Sequence, residues 1–338
     1  MGDEEHVVCV LGSGGEVVKR DRVPCTRGDV ERFFGEMPRC VVAMETGTHS
    51  RWVSQLLSGM GFEVLVGNAR KMRSIWDSDE KDDDRDAEQV ARLARFDRKL
   101  LHPVQHRKEE AHQDLEMLRG RDMLVSCRSK LVNHVRGVVK AAGYRVPKGS
   151  TEAFHKRAAA AMPKELAVVM GPVLESLADL NKRIREYEQK AEVLCEEKYP
   201  ETKPLRAIKG VGPVISLAFV LTLEDPKRYR DSRTVGAFLG MTPRRCQSGG
   251  TDPQLKITKA GNGFMRKLLV VGANYIMGPF GEDCDLRRFG ERLQSRGGKN
   301  AKKRARVAVA RKLAVLMHSM WLNGTVYQPL GYNHKNVG

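Results

Sequence analysis

The chain is short of several features that would assign it to a common class. Its seven cysteines stand at 9, 25, 40, 127, 195, 246 and 284 without a Cys-x-x-Cys pair, and the odd, scattered set excludes a disulfide framework and a zinc ribbon. No apolar run reaches the roughly 18 residues of a membrane-spanning helix, and the first residues carry no apolar signal-peptide core. A cytoplasmic, reducing setting without a membrane partner is expected. Acid is scarce toward the C-terminus: residues 201–338 hold 25 Lys and Arg against 9 Asp and Glu. Residues 1–100 hold 16 and 19, and residues 101–200 hold 18 and 14, so nearly all of the net +17 belongs to the last stretch. Such asymmetry predicts polyanion binding at one end and leaves acidic groups for a cation at the other.

At 338 residues the chain is long enough for two or three domains. HVVCVLG (6–12) and EVVKRDRV (16–23) flank Gly14-Gly15 and predict a hairpin. A helical pattern over 28–37 follows. CVVAMET (40–46) and FEVLVGN (62–68) read as buried strands separated by an amphipathic helix over 51–60. Strand–helix–strand alternation predicts an α/β domain with parallel pairing, in which functional groups collect at the carboxyl ends of strands. Glu45 stands at such an end.

The run DSDEKDDDRDAEQVARLAR (77–95) has two readings. It is either a solvated acidic cap on a helix or a pair of ligands. Asp83 and Asp86 are three apart, so a helix places both carboxylates on one face, and hard oxygen donors suit Mg²⁺. Two carboxylates with a third at a strand end are a ligand type of metal-assisted phosphoryl transfer.

Residues 105–142 predict a long polar helix and 143–150 a loop. After Pro172, Val173, Leu177, Leu180, Ile184, Tyr187, Ala191 and Leu194 step by four and three, a heptad seam. That seam fits a helical hairpin closing on itself, and equally a coiled-coil arm that dimerises or holds nucleic acid. The segment 200–204 reads as a linker. LRAIKGVGPVISLAFVL then has the pattern of a helix-hairpin-helix, in which Lys209, Gly210 and Gly212 can hold a backbone phosphate, or of an ordinary turn between helices. A helix over 229–240 is followed by a loop or short hairpin with Ser248 beside Gly249 and Gly250. Arg244, Arg245, Lys256, Lys259 and Arg266 surround it in sequence, the last on a helix from about 263. Lys302, Lys303 and Arg304 open a basic amphipathic helix over 299–321 suited to a DNA or RNA backbone. Residues from Tyr327 onward read as a tail.

AMETGTHSRWVSQLLSGMGFEVLVGNARKMRS, KDDDRDAEQVARLA and LRAIKGVGPV…FLGMTPRRCQSGG…KITKAGNGFMRKLL occur in one order across nearly the whole chain. That ordered set resembles the DEDD-type insertion-sequence transposases of the IS one-ten family, RNA-guided serine recombinases. The resemblance implies a RuvC-like (ribonuclease-H-like) domain over 1–104, a helical coiled-coil region over 105–200, a mainly helical transposase domain over 201–326 and a tail over 327–338. It implies Ser248 as the catalytic serine and Glu45, Asp83 and Asp86 as catalytic carboxylates holding Mg²⁺. It also implies a homo-oligomer, dimer or tetramer, acting on DNA with a structured guide RNA in the nucleoid of a bacterial or archaeal cell.

The chain departs from the family pattern at one place. The family opens on a strand bearing its first aspartate, whereas here Asp3 is the only nearby candidate and no strand precedes it. Loss of that strand would remove a ligand and expose a sheet edge. The rival readings are a metal-dependent nuclease of the Holliday-junction type and an inactive nucleic-acid-binding remnant.

Overall fold

The structure, a computed structural model, describes residues 2–72, 82–247, 250–251 and 255–331. The chain divides into two compact units, Met1–Arg107 and Lys108–Gly338.

In the first unit the predicted hairpin forms from β1 (Glu5–Leu11) and β2 (Val17–Pro24), antiparallel, with Gly15 at φ 92° in the turn that only glycine enters without cost. α1 (Arg27–Gly35) begins at Thr26, whose hydroxyl accepts from Asp29 N. β3 (Val41–Glu45) and β4 (Glu63–Gly67) then pair in parallel, Glu45 opposite Gly67, with α2 (Ser50–Gly59) as the crossover that parallel pairing requires. α3 (Ala69–Met72) and α4 (Asp83–Phe96) complete the unit, with a 3-10 turn at Arg98–Leu101. The pairs form two separate two-stranded sheets. The expected hairpin and the expected parallel pair both form, and among the described residues no ladder joins β1 to β3. Val30, Phe34, Val53, Leu57, Phe62 and Val66 form one core. A smaller one sets Val90, Leu93 and Ala94 of α4 over Ala43 of β3 and Leu65 of β4.

The second unit opens with two long antiparallel helices, α5 (Glu109–Ala141) and α7 (Lys164–Glu197), capped by the short α6 (Phe154–Ala160), which no sequence period signalled. α7 starts eight residues before Pro172 and runs through it, although proline ordinarily interrupts a helix. The seam also turns. Its buried residues are Met170, Leu174, Leu177, Asn181, Ile184, Ala191 and Cys195, so Leu177, Ile184 and Ala191 hold their expected places while Val173, Leu180, Tyr187 and Leu194 lie at its margin. Polar residues fill the other row because α5 answers them. Arg128 donates to Asn181 Oδ1 at 3.0 Å, and Arg121 pairs with Glu188. The seam thus closes on α5 within the chain.

The expected linker at 200–204 is instead α8 (Thr202–Leu205), with Thr202 and Leu205 fully buried and the Thr202 hydroxyl donating to Tyr199 O at 2.7 Å. α9 (Pro213–Leu223) is apolar all round, as a helix enclosed by protein should be, and every residue from Ile215 to Leu223 is buried. A 3-10 turn (Pro226–Arg228), α10 (Thr234–Phe238), α11 (Gly263–Ile276), α12 (Asp285–Ser295) and α13 (Ala301–Asn323) complete the unit, and α5, α7, α8 and α11 pack directly on α9. The helix expected over 229–240 shrinks to α10. Leu115, Leu118, Ala191 and Cys195 share the α9 core, so the base of the hairpin and the C-terminal helices are one body. The start of the expected tail is also pinned: Asp285 N donates to Pro329 O at 2.8 Å and Tyr327 packs on that core.

Candidate functional site

α4 carries Asp83 and Asp86 on one face, as their spacing requires, and that face continues through Val90 and Leu93 onto β3 and β4. Asp82 caps the helix and accepts from Asp84 N at 3.0 Å, so the acidic run also serves the helix start. Contacts at the open end of the hairpin place the pair relative to Glu45. Arg22 joins Glu5 at 2.5 Å and Asp84 at 3.3 Å, tying the start of α4 to the beginning of β1. His6, in that same part of β1, stacks edge-on to His49 at 5.6 Å between ring centres, four residues beyond Glu45. Glu45, Asp83 and Asp86 thus occupy the same end of the unit. Among the described residues, however, no three His, Cys, Asp or Glu side chains are gathered closely enough to hold a metal ion. Asp3, at 99% side-chain exposure, lies 4.0 Å from His49 Nε2.

Sequence reasoning passed over the histidines beside this end. His6 is buried, its Nδ1 3.3 Å from Cys25 Sγ, and burial, with His49 adding to it, pushes its pKa down to about 4. Trp52 Nε1 donates to His49 Nδ1 at 3.1 Å, which leaves the proton of a neutral His49 on Nε2, the nitrogen that faces Asp3. His6 and His49 are 43 residues apart and share no period that would mark them; only the packing of His6 against His49 and Trp52 of α2 does.

Ser248, Gly249 and Asp252 lie outside the described residues. The segments on either side of them pair to form a root. Pro243 bridges Ile257, Arg244 N donates to Lys256 O at 2.9 Å, and Thr258 N to Thr242 O at 2.9 Å, which makes the short hairpin one of the two expected forms. Gly240 (φ 65°) and Gly261 cross at the base. A Cβ on Gly261 would lie 1.9 Å from Phe238 O, so the two chain segments touch backbone to backbone. Arg244, Arg245, Lys256 and Lys259 are exposed around this root, with no acidic partner among the described residues. Arg266 differs from them. It is half-buried and its Nη1 donates to Leu239 O at 2.9 Å and Gly261 O at 2.7 Å, so its charge is engaged in bracing the loop.

The Gly-Val-Gly turn is used largely for packing. Gly210 has φ 94°, and a Cβ there would meet Tyr275 at 3.0 Å and Gly272 O at 3.1 Å on α11. Gly212 caps α9 ahead of Pro213, and Lys209 reaches Glu282 at 3.6 Å on the surface. The basic C-terminal helix carries its exposed charge at its start. Lys302, Lys303 and Arg304 are exposed on the first turn of α13, beside an open groove of about 510 Å³ that Lys299, Lys302 and Lys303 help line. From Ala305 onward one face of the helix is core.

Two family models match this chain. One, a transposase model of the DEDD type of IS110, covers residues 1–143, and the other, for transposases of the IS116/IS110/IS902 family, covers residues 202–281. Three similar proteins match over nearly full length. A probable family 20 transposase of Pseudomonas aeruginosa is 28% identical over 96% of this chain and 93% of its own. The transposase for insertion sequence element IS1111A of Coxiella burnetii is 25% identical, covering 95% and 88%. The transposase for insertion sequence element IS1328 of Yersinia enterocolitica is 26% identical, covering 95% of each. The protein is thus a transposase, an enzyme acting on DNA. With the two models matched in order along the chain, over residues 1–143 and 202–281, the chain belongs to the IS110 family of transposases. Among the described residues no helix is long and apolar enough to cross a membrane.

Proposed function

We propose that this transposase moves an insertion sequence by cutting and rejoining DNA through the hydroxyl of Ser248, with the carboxylates of a RuvC-like domain, Glu45, Asp83 and Asp86, holding Mg²⁺. The observation that carries the reading is the placement of Glu45 and the Asp83–Asp86 face at one end of the first unit, on β3 and α4, which pack together. The donor set fits the ion by chemistry, three carboxylates being hard oxygen ligands. They would have to draw together around it, since in this structure they are not gathered closely enough to hold it. Bound there, Mg²⁺ would supply charge stabilisation for phosphoryl transfer.

In the step proposed, Ser248 Oγ bonds to the scissile phosphorus as the bond from phosphorus to a sugar oxygen breaks. The hydroxyl proton passes to a base, a role the family resemblance assigns to the RuvC-like site, and the departing sugar oxygen takes up a proton. Attack by a sugar hydroxyl on the phosphoserine reverses these changes and rejoins DNA, so no external energy source is needed. Arg244, Arg245, Lys256 and Lys259 at the loop root supply the positive charge that a five-coordinate phosphorus favours. That they have no acidic partner among the described residues supports that role.

Asp3 would complete the ligand set only if an adjoining strand ordered it, since its side chain is exposed. A guide RNA and a dimeric or tetrameric assembly follow from the same family reading, and Lys302 and Lys303 add backbone contacts. The test is to incubate the protein with a cleavable DNA end under strand-transfer conditions and look for DNA attached covalently to protein. The adduct is expected for wild type and absent for Ser248→Ala. An adduct that survives the substitution would sink the serine mechanism. Cleavage that continues in Ser248→Ala without any adduct would establish the metal-dependent nuclease instead.

A further inference from the structure

The far end of the α5–α7 hairpin is the most one-sided charged surface outside the regions discussed above. Between Lys130 and Lys164 the chain has eight Lys and Arg against one acid, Glu152. Nearer the base the helices pair their charges: Arg121 with Glu188, Arg183 with Asp179, Lys198 with Asp114. At the tip Lys130, Lys140, Arg145, Lys148, Lys156 and Lys164 are exposed and have no acidic partner among the described residues. Glu152 is taken up by Arg128, at 4.0 Å.

This end is also a built platform. Val132, Val135 and Val139 of α5, Phe154 and Ala158 of α6 and Met170, Leu174 and Leu177 of α7 make a core of their own. Arg157 donates to Pro147 O at 3.3 Å and to Ser150 O at 2.7 Å, holding the connecting loop. Six like charges on an ordered surface repel one another, and a polyanion removes that cost. Tyr144, at 47% exposure, lies just past the last turn of α5, in sequence between the exposed Lys140 and the exposed Arg145 and Lys148. An exposed aromatic ring amid phosphate-binding cations is the arrangement on which an unpaired base stacks.

We propose that the hairpin tip is a second nucleic-acid-binding surface, gripping a phosphodiester backbone through Lys130, Lys140, Arg145, Lys148 and Lys156 and stacking an unpaired base on Tyr144. It goes beyond the strand-transfer reading and does not depend on it, so Ser248→Ala should bind here as wild type does.

The experiment uses the full chain and three probes of unrelated sequence: duplex DNA, duplex RNA and single-stranded RNA. The variant Lys140→Gln/Arg145→Gln/Lys148→Gln/Lys156→Gln removes four cations. With one phosphate contact each, its log affinity–log salt slope becomes shallower by about 3.6 on duplex DNA and about 2.8 on single strands. Between 50 and 200 mM salt wild type then loses about 150-fold or about 50-fold more affinity than the variant. Tyr144→Ala should weaken single-stranded binding by about 5- to 150-fold and leave duplex binding unchanged. A slope change below 1 on every probe overturns the proposal, as does a variant that changes only the oligomeric mass in sedimentation, which would make the tip a contact between copies. Should the quadruple variant fail to fold, acylation of wild-type lysines decides. Protection of Lys140, Lys148 and Lys156 by the bound probe supports the surface, and none overturns it.

Discussion

Arg266 separates two roles that the same residue type can fill. Its sequence neighbours suggest a phosphate contact, while its geometry makes it a brace: one guanidinium nitrogen donates to Leu239 O and Gly261 O, at 2.9 and 2.7 Å, across the crossing of Gly240 and Gly261. Hydrogen bonds to a charged group contribute about 1.5–3 kcal/mol each, and partial exposure lowers that, so Arg266→Met should cost roughly 2–4 kcal/mol. For a unit of this size that is about 4–16 °C in melting temperature. Calorimetry should record this loss in the transition of the second unit. The salt slope for duplex DNA should change little, because no phosphate contact is removed. If melting is unaltered while the slope becomes shallower by about 0.9, Arg266 is a phosphate ligand and the bracing argument is wrong.

Three further outcomes follow from the same contacts. His6, held near pKa 4 against the ordinary 6.5, binds fewer protons folded than unfolded in that interval, so stability present above pH 6.5 is lost as pH falls toward 4; His6→Phe should flatten the melting temperature of the first unit over that range, and an unchanged pH dependence would refute the assignment. Gly261→Ala puts a methyl group 1.9 Å from Phe238 O and must shift the loop root, so strand transfer should fall at least about tenfold, the scale of a misplaced reacting group, with duplex affinity kept; full activity would show that the root does not position Ser248. Lys302→Gln/Lys303→Gln should make the duplex-DNA salt slope shallower by about 1.8, and no change would remove α13 from the nucleic-acid surface.

The sequence alone determined what depends on near neighbours in the chain. The three-residue spacing of Asp83 and Asp86 dictated a shared helix face, strand–helix–strand alternation dictated the parallel β3–β4 pair, and the C-terminal excess of Lys and Arg was countable. The order of motifs was enough to indicate the family that both models match. Tertiary structure decided which chemistry each side chain is available for, because its partners come from distant segments. Arg266 is spent on a carbonyl 27 residues away, and Arg128 and Arg121 draw the α7 seam toward Asn181 and Glu188 from 53 and 67 residues away. The segment at 200–204 looked like a linker because its proline and polar residues are loop formers. Burial of Thr202 and Leu205 against the α9 core makes it a helical turn, since a hydroxyl can enter a core once its own chain supplies the acceptor. The histidines beside Glu45 were invisible for the same reason. Their contact exists only where β1 meets α2, and neither spacing nor composition records that meeting.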